Sequence, residues 1–197
     1  NLIRTLKPDD LLIVLLSGGA SSLLPAPAPG MSFKDKQQTT KLLLRSGATI
    51  QEMNAVRKHL SQVKGGQLAS ATAAPVVSLI LSDVIGNDLG TIGSGPTAPD
   101  PTTFREAWAI LERYRVTTRI PASIRRRLRA GIDKTVAETP KAGASLFRRV
   151  HNVLIGDNQA AVDAVAKAAK KEGLHRLILS TTVTGEAREI AKLFGAM

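Results

Sequence analysis

The 197-residue chain contains no cysteine. Neither disulfides nor thiolate metal sites are therefore available, and this absence favours a reducing, cytoplasmic location. Aromatic residues are scarce as well, since one Trp, one Tyr and four Phe predict a core built mainly from aliphatic side chains. No apolar run approaches the ~20 residues that a membrane-spanning helix needs, so the sequence predicts no membrane partner.

Acidic residues are in the minority, with 16 Asp and Glu against 27 Lys and Arg and a net charge of +11. Such a balance is typical of nucleic-acid binders. The charges are scattered, however, except in "IRRRLRAGIDK" at 124–134, where no aromatic residues stand ready to stack on bases. The pattern favours a solvated basic helix and no nucleic-acid partner. A basic surface also steers anionic small molecules, and a nucleic-acid-binding module remains an alternative.

Apolar runs that end in polar loops organise the chain, and they predict strands at 11–16, 76–81, 151–156 and 176–181. The first run has no charge and is predicted to be buried on both faces, as parallel sheets require. Helical patterns lie between the runs. The sequence therefore predicts an α/β fold with a doubly wound, mostly parallel sheet and helices on both faces, a Rossmann-like three-layer arrangement.

Capping signals mark the helices between these runs. Ser32 with Asp35 and Thr49 with Glu52 have the spacing of capping boxes. The pattern after Gly185 is still helical where the sequence stops, and no C-capping signal follows it. We therefore expect an incomplete domain.

Chemistry in such a sheet is expected just past the carboxyl ends of the strands. The turn "SGGASS" at 17–22 has two glycines whose amides can approach an oxyanion, and its serines add hydroxyl donors. These features suit a phosphate-binding loop, although a plain tight turn is the commoner explanation of such a glycine pair. Neither a Walker A spacing nor GxGxxG is present.

Two further segments carry charged candidates. Asp83 and Asp88 follow the second apolar run, and one or two carboxylates with substrate phosphates are the usual way to hold Mg²⁺; Asp83 as a turn cap is the alternative. Arg57 has the geometry to bind a carboxylate, and Lys58 or Lys64 to neutralise a phosphoryl group. Solvent-exposed helix charges are the alternative for these three.

Four stretches, "LLSGGASSLL", "NAVRKHLSQVKGGQLA", "LSDVIGNDLGTIGSGPTAPDPTTF" and "NVLIGDNQAAVDA", together resemble the class II glycerate 2-kinases, some of whose bacterial relatives are labelled hydroxypyruvate reductase. The resemblance spans nearly the whole chain. It implies a transferase that uses ATP and Mg²⁺ to phosphorylate D-glycerate to 2-phosphoglycerate in carbohydrate acid metabolism. Glycerate and ATP are then the expected partners, and a homodimer is left open.

The resemblance also implies roles for individual residues. The family's turn commonly reads Ser-Gly-Gly-Gly-Ser, and because Ala20 replaces its third glycine we expect ordinary backbone angles there. The implied set is catalytic Arg57, Lys58 and Asp83; phosphate- or nucleotide-binding Ser17, Gly18, Gly19, Ser21, Ser22, Gly95, Asp157 and Asn158; substrate-binding Asn54 and Arg57; and metal-binding Asp83 and Asp88.

The resemblance covers only part of the family's length. Residues 1–197 are expected to form a single α/β domain, part of the larger glycerate kinase domain. A preceding segment of about a hundred residues and a smaller C-terminal domain would be absent, so activity of the chain by itself is left open. An NAD(P)H-dependent hydroxypyruvate reductase is a further alternative, disfavoured because the dinucleotide fingerprint is missing.

Overall fold

The computed structural model describes residues 2–196. Its strands are β1 (Leu12–Leu16), β2 (Val76–Leu81) and β3 (Val150–Gly156). Its α-helices are α1 (Ala20–Leu23), α2 (Phe33–Arg45), α3 (Ile50–His59), α4 (Gln67–Ser70), α5 (Phe104–Arg113), α6 (Ala122–Ile132), α7 (Asn158–Lys171) and α8 (Ala187–Gly195). Short 3₁₀ turns lie at Leu2–Arg4, Ile85–Asn87, Ile92–Ser94 and Ser145–Arg149. None of the helices within residues 2–196 has both the length and the apolar character to cross a membrane.

The three strands form one parallel sheet in the order β1-β2-β3. Val76 at the start of β2 lies opposite Leu12 on one side and Val150 on the other. Because all three strands run the same way, their carboxyl ends meet at one edge of the sheet. The predicted parallel α/β class is confirmed.

The main core lies among helices rather than on the sheet. Side chains from α2, α3, α5 and α6 form one buried cluster that includes Leu43, Val56, Phe104, Leu111 and Leu128. Its members are largely aliphatic, as the scarcity of aromatic residues predicts. This helical layer holds α3, the helix that carries several candidate site residues, in a fixed position.

The prediction that the first apolar run is buried on both faces is wrong. Ile13 and Leu15 are 57% and 75% exposed, whereas Leu16 is buried and packs with Ile80 and Ile92. Side chains alternate between the two faces of a strand. One face of β1 therefore meets the loop that follows β2, and the other is open to solvent among the described residues.

The predicted fourth strand at 176–181 is also wrong, because this segment has no regular secondary structure. It is tied to α7 instead, through bonds from Arg176 to the Ala166 carbonyl and from Asn158 to the Thr181 carbonyl. No backbone hydrogen bond joins it to β3 within the described chain. A strand requires a neighbouring backbone as a partner, and an apolar composition does not supply one.

The capping predictions are confirmed. Ser32 and Asp35 exchange hydrogen bonds of 3.1 and 2.9 Å at the start of α2. Thr49 and Glu52 do the same at the start of α3. These signals fix helix starts because they satisfy backbone amides that the first turn leaves without a partner.

The basic segment predicted to be helical forms α6, and its arginines contact the protein itself. Arg125 donates to the Ile120 carbonyl at 2.9 Å, and the Arg129 guanidinium lies 4.0 Å from the centre of the Trp108 ring. Arg127 lies over Phe104 in the same way, at 5.6 Å. These contacts give the run of arginines a structural explanation.

Gly131 lies where α6 crosses Phe104, and a Cβ there would come within 2.1 Å of the Phe104 ring. We expect Gly131→Ala to lower the free energy of unfolding by roughly 1–3 kcal/mol, because a filled core tolerates added atoms poorly. Gly195→Ala is the matched control, since Gly195 is also helical and has open space around it. Urea unfolding of both variants checks this; equal stabilities would contradict the close packing.

Candidate functional site

The long loop at 82–103 begins at the carboxyl edge of the sheet and packs back over one of its faces. Thr97, from this loop, accepts a hydrogen bond from Ser78 of β2 at 3.0 Å and donates one to Asn152 of β3 at 2.6 Å. Ser17, at the end of β1, is exposed beside the same edge. Asn87 of this loop also donates to Asp157, which follows β3, at 2.7 Å. The predicted convergence of loops at strand ends is therefore present for all three strands.

Ser94 connects this loop to the SGGASS turn. It is buried and has a φ of 65°, a left-handed conformation that is uncommon for a residue with a side chain. Its hydroxyl lies 2.7 Å from that of Ser21 and donates to Asn54 at 3.1 Å. Such strain persists where surrounding contacts enforce it, and here those contacts join two loops to α3.

Arg57 extends the same network. Its guanidinium donates to the Ser21 carbonyl at 2.6 Å and lies 3.5 Å from the Asn54 side-chain oxygen. Burial lowers the pKa of Arg57 below its usual value. The structure thus brings three residues implied by the resemblance, Asn54, Arg57 and Ser21, into contact.

Lys64 joins the SGGASS turn after β1 to the loop after β2. Its ammonium donates to the carbonyls of Ser21, at 2.7 Å, and Gly93, at 3.2 Å. Burial, followed by repulsion from Arg57 and Lys36, lowers the pKa of Lys64 to about 7. The turn after β1 and the loop after β2 are therefore held together by one buried side chain.

The glycine turn itself leaves donors available. Gly19 has a φ of 82°, and among the described residues the amides of Gly18 and Gly19 donate to no protein acceptor. The hydroxyl of Ser22 donates back to the Gly19 carbonyl at 3.0 Å. Ala20 begins α1 and has ordinary helical angles, as expected. Two amides in an exposed turn at the end of β1 are thus available to a ligand.

Asp83 lies directly against this turn. A Cβ on Gly18 would come within 2.7 Å of an Asp83 carboxylate oxygen, so the glycine makes room for the carboxylate. Asp83 is exposed and, within the described chain, its side chain has no hydrogen-bond partner. Its carboxylate is therefore available to a ligand beside the Gly18 amide.

Asp88 is in a different situation. One of its carboxylate oxygens accepts from the Gly90 amide at 3.1 Å and the other from the Thr91 hydroxyl at 2.5 Å. Both oxygens thus shape the loop. Residues 2–196 contain no group of three or more His, Cys, Asp or Glu side chains able to hold a metal, so a cation here would depend on few protein ligands.

Lys58 forms a buried ion pair close to the Asp88 loop, since a Cβ added at Gly90 would lie 3.6 Å from its ammonium. Its ammonium lies 3.3 Å from Asp100, and Asp100 also accepts from the Thr139 hydroxyl at 2.9 Å and the Thr102 amide at 3.0 Å. Both charges of the pair are buried. The catalytic role that the resemblance implies for Lys58 stays a prediction.

His59 lies next to the buried Lys58–Asp100 pair. Its two ring nitrogens lie 2.7 Å from the Ala55 carbonyl and 2.8 Å from a Glu138 carboxylate oxygen. Burial alone would raise the pKa of Glu138, but hydrogen bonds from His59 and from backbone amides prevail and lower it to about 2. The base of α3 is thus held by a network of fixed charges.

At the end of β3, Asp157 and Asn158 make structural contacts. Asp157 caps α7 through the Ala160 amide at 2.8 Å and accepts from Asn87 at 2.7 Å, and these bonds lower its pKa. Asn158 donates to the Thr181 carbonyl. Gly95 belongs to the loop after β2, and its carbonyl accepts a hydrogen bond from the Gly66 amide at 2.7 Å. Nucleotide binding by these residues stays a prediction.

Sequence reasoning did not identify Ser94 and Lys36 as site residues. Lys36 belongs to α2, where the helical pattern places it among polar residues, yet its side chain is buried and donates to the Pro25 carbonyl at 2.6 Å. Ser94 lies between two glycines in "GSG", and that pattern was the available signal for an unusual backbone.

Comparison with known proteins gives this arrangement a context. Residues 1–129 match the family model described as "Domain of unknown function (DUF4147)". The chain is 41% identical over 197 residues to a glycerate 2-kinase from Pyrococcus horikoshii, covering 100% of this chain and 44% of that protein. It is 46% identical to a putative hydroxypyruvate reductase from Agrobacterium vitis, covering 99% and 42%.

A solved structure agrees with this relationship. The crystal structure of glycerate kinase from Thermotoga maritima superposes with a TM-score of 0.81 at 40% identity, covering 99% of this chain and 44% of that one. The chain spans less than half the length of these relatives. The resemblance seen in the four motifs is confirmed, and with 129 of 197 residues matched, the chain belongs to the DUF4147 family.

Proposed function

We propose that the full-length protein containing this chain transfers a phosphoryl group from ATP to the 2-hydroxyl of D-glycerate with the help of Mg²⁺. One observation carries this proposal. Two free amides at Gly18 and Gly19, the free carboxylate of Asp83 and the guanidinium of Arg57 all border a single turn at the carboxyl edge of the sheet. Relatives over the whole chain are named glycerate kinase, which supports the same reaction.

Each group has a task that phosphoryl transfer needs. The Gly18 and Gly19 amides would bind phosphate oxygens, and Arg57, positioned by Asn54, would bind the carboxylate of glycerate. Little covalent chemistry is required of the protein, because the reaction depends mainly on alignment and on neutralised charge. The contacts of Ser21 and Ser94 fix these two ends relative to each other.

The residues at the turn fit a magnesium ion. Mg²⁺ usually takes one or two carboxylates and completes its shell with water and substrate phosphates. Asp83 has both carboxylate oxygens free among the described residues, whereas the oxygens of Asp88 are engaged in the loop. Asp83 would therefore hold the ion, which when bound would neutralise phosphate charge, and Asp88 would keep the loop in shape.

The test is a phosphorylation assay with the full-length protein, D-glycerate, ATP and MgCl₂. We expect equal amounts of ADP and 2-phosphoglycerate by ³¹P NMR, and loss of both when EDTA removes the metal. Arg57→Ala should raise the KM for D-glycerate by about 10- to 100-fold, the usual effect of losing hydrogen bonds to a charged group. Arg105→Ala, on the exposed face of α5, is the matched control and should change nothing.

Other outcomes would support the alternatives. NADH oxidation with hydroxypyruvate and no ADP formation would overturn the proposal in favour of a reductase. Nucleic-acid binding that weakens steeply with salt, without ATP turnover, would instead identify a basic binding module.

A further inference from the structure

A small cavity lies beside the site, between α2, α3 and the segment after α1. Its volume is about 210 Å³. Four cationic side chains line it, Lys36, Lys41, Arg57 and Lys64, and no carboxylate does. Ser21 and Ser22 of the SGGASS turn form the wall nearest the candidate site.

Two of these cations are buried without an opposite charge. Lys36 is 7% exposed and Lys64 is 1% exposed, and in the described part of the chain neither forms an ion pair. Buried charges are normally paired. Lys58, the residue after Arg57 in α3, follows that rule because it forms an ion pair with Asp100. The cavity is therefore an exception within the same molecule.

The buried ammonium groups also have hydrogen-bonding capacity to spare. An ammonium has three donors. Lys36 uses one on the Pro25 carbonyl, and Lys64 uses two on the carbonyls of Ser21 and Gly93. Three donors on two buried side chains are thus left for a ligand in the cavity.

The ionisation of both lysines reflects this crowding. Burial and the nearby Arg57 lower the pKa of Lys36 to about 8, and burial with repulsion from Arg57 and Lys36 lowers that of Lys64 to about 7. A bound anion would relieve both effects, because it supplies the missing opposite charge.

We infer that Lys36, Arg57 and Lys64 together bind one oxyanion in this cavity, and that this oxyanion is the carboxylate of the hydroxy-acid substrate. The assignment to the substrate rests on the proposed function. The Ser21 carbonyl holds both Arg57 and Lys64, so the carboxylate would be fixed against the turn whose glycine amides receive phosphate. Lys36 and Lys64 thereby become specificity residues, since an alcohol without a carboxylate leaves their charges unpaired.

Calorimetric titration of the full-length protein with D-glycerate, in the absence of ATP, tests this inference. We expect Lys36→Met and Lys64→Met each to weaken D-glycerate binding by about 10- to 100-fold, and glycerol not to bind measurably. Lys34→Met is the matched control, because Lys34 is exposed on α2 and outside the cavity. ATP affinity should be unchanged in Lys36→Met and Lys34→Met, whereas Lys64→Met is compared on D-glycerate binding because Lys64 also holds the SGGASS turn.

Unchanged D-glycerate affinity in both cavity variants would overturn the inference. A loss of ATP affinity with D-glycerate binding intact would overturn the carboxylate assignment, because the oxyanion would then be a nucleotide phosphate. Since no turnover is measured, a protein that binds D-glycerate through these lysines but forms no ADP would disprove the proposed function alone.

The unsubstituted protein supplies a second readout in case a variant does not fold. Lys64 shares the cavity with the cations Lys36 and Lys41 of α2 and Arg57 of α3, and its hydrogen bonds among the described residues go to carbonyls. A carboxylate entering at pH 8 should raise its pKa from about 7, so binding should take up a proton. Binding heats at pH 8 that differ between buffers of unlike ionisation enthalpy would then support the inference.

Discussion

Asp83→Asn in the full-length protein is expected to lower kcat on the order of 10²- to 10³-fold, the usual effect of removing one preorganised electrostatic group from an active site. The KM for D-glycerate should stay close to its original value. The reason is that Asp83 offers the free carboxylate beside the Gly18 amide, where metal and phosphate are proposed to meet. Steady-state kinetics over a range of Mg²⁺ concentrations measure both effects.

Asp88→Asn is the matched control for this experiment. An asparagine retains an oxygen for the Gly90 amide, so we expect a smaller loss of kcat and little change in the Mg²⁺ requirement. Gly18→Ala should resemble Asp83→Asn, since its Cβ would lie 2.7 Å from an Asp83 oxygen and displace the carboxylate. An unchanged kcat in Asp83→Asn would remove Asp83 from the metal role.

The contrast between the two aspartates illustrates what sequence can and cannot provide. Both follow the same strand in a loop rich in glycine, and spacing alone made them equal candidates. Only the folded loop separates them, because the partners of Asp88 are the amide and hydroxyl two and three residues later. Such a short-range turn is a common use of aspartate, yet its presence depends on where the whole loop is anchored.

Local signals were the reliable part of the sequence. The capping boxes at Ser32 and Thr49 involve residues three positions apart, so their geometry is set within one helical turn. The second apolar run became β2 with the predicted bounds. Its neighbours on both sides are strands, which supply the backbone partners it needs.

Failures occurred where a structure depends on distant neighbours. The run at 176–181 also contains consecutive apolar residues, yet it forms no strand, because hydrophobicity does not specify a backbone partner. The exposure of Ile13 and Leu15 has a similar cause. Burial of both faces requires an element packed on each, and only one face of β1 meets such an element among residues 2–196.

The candidate site likewise combines parts that the sequence predicts with contacts that it does not predict. Sequence placed the SGGASS turn and Arg57 at the functional edge, since both belong to stretches that resemble the glycerate kinases. The links that join them span long separations, 73 residues from Ser21 to Ser94 and 43 from Ser21 to Lys64. No pattern in the chain encodes such contacts, and the buried cations of the cavity therefore became visible only in the folded protein.

Asp100→Ala is expected to have the largest effect on stability, a loss of roughly 3–5 kcal/mol in the free energy of unfolding, as for a buried ion pair broken at one partner. Asp100 is fully buried and accepts from Lys58, Thr102 and Thr139. Its removal would leave the Lys58 ammonium buried without an opposite charge. Urea unfolding monitored by circular dichroism gives the difference directly.

Asp133→Ala is the matched control, because Asp133 is exposed at the end of α6 and its change should stay within about 0.5 kcal/mol. Equal losses in the two variants would show that the buried ion pair makes no particular contribution to stability.

The milder Asp100→Asn keeps an acceptor for Thr139 and allows activity to be measured on folded protein. Because Asp100→Asn removes only the charge that pairs with Lys58, it also tests whether Lys58 has the catalytic role that the resemblance implies. A kcat that falls with Asp100→Asn would favour catalysis by Lys58, whereas loss of stability with unchanged kcat would assign the pair to holding α3 beneath the site.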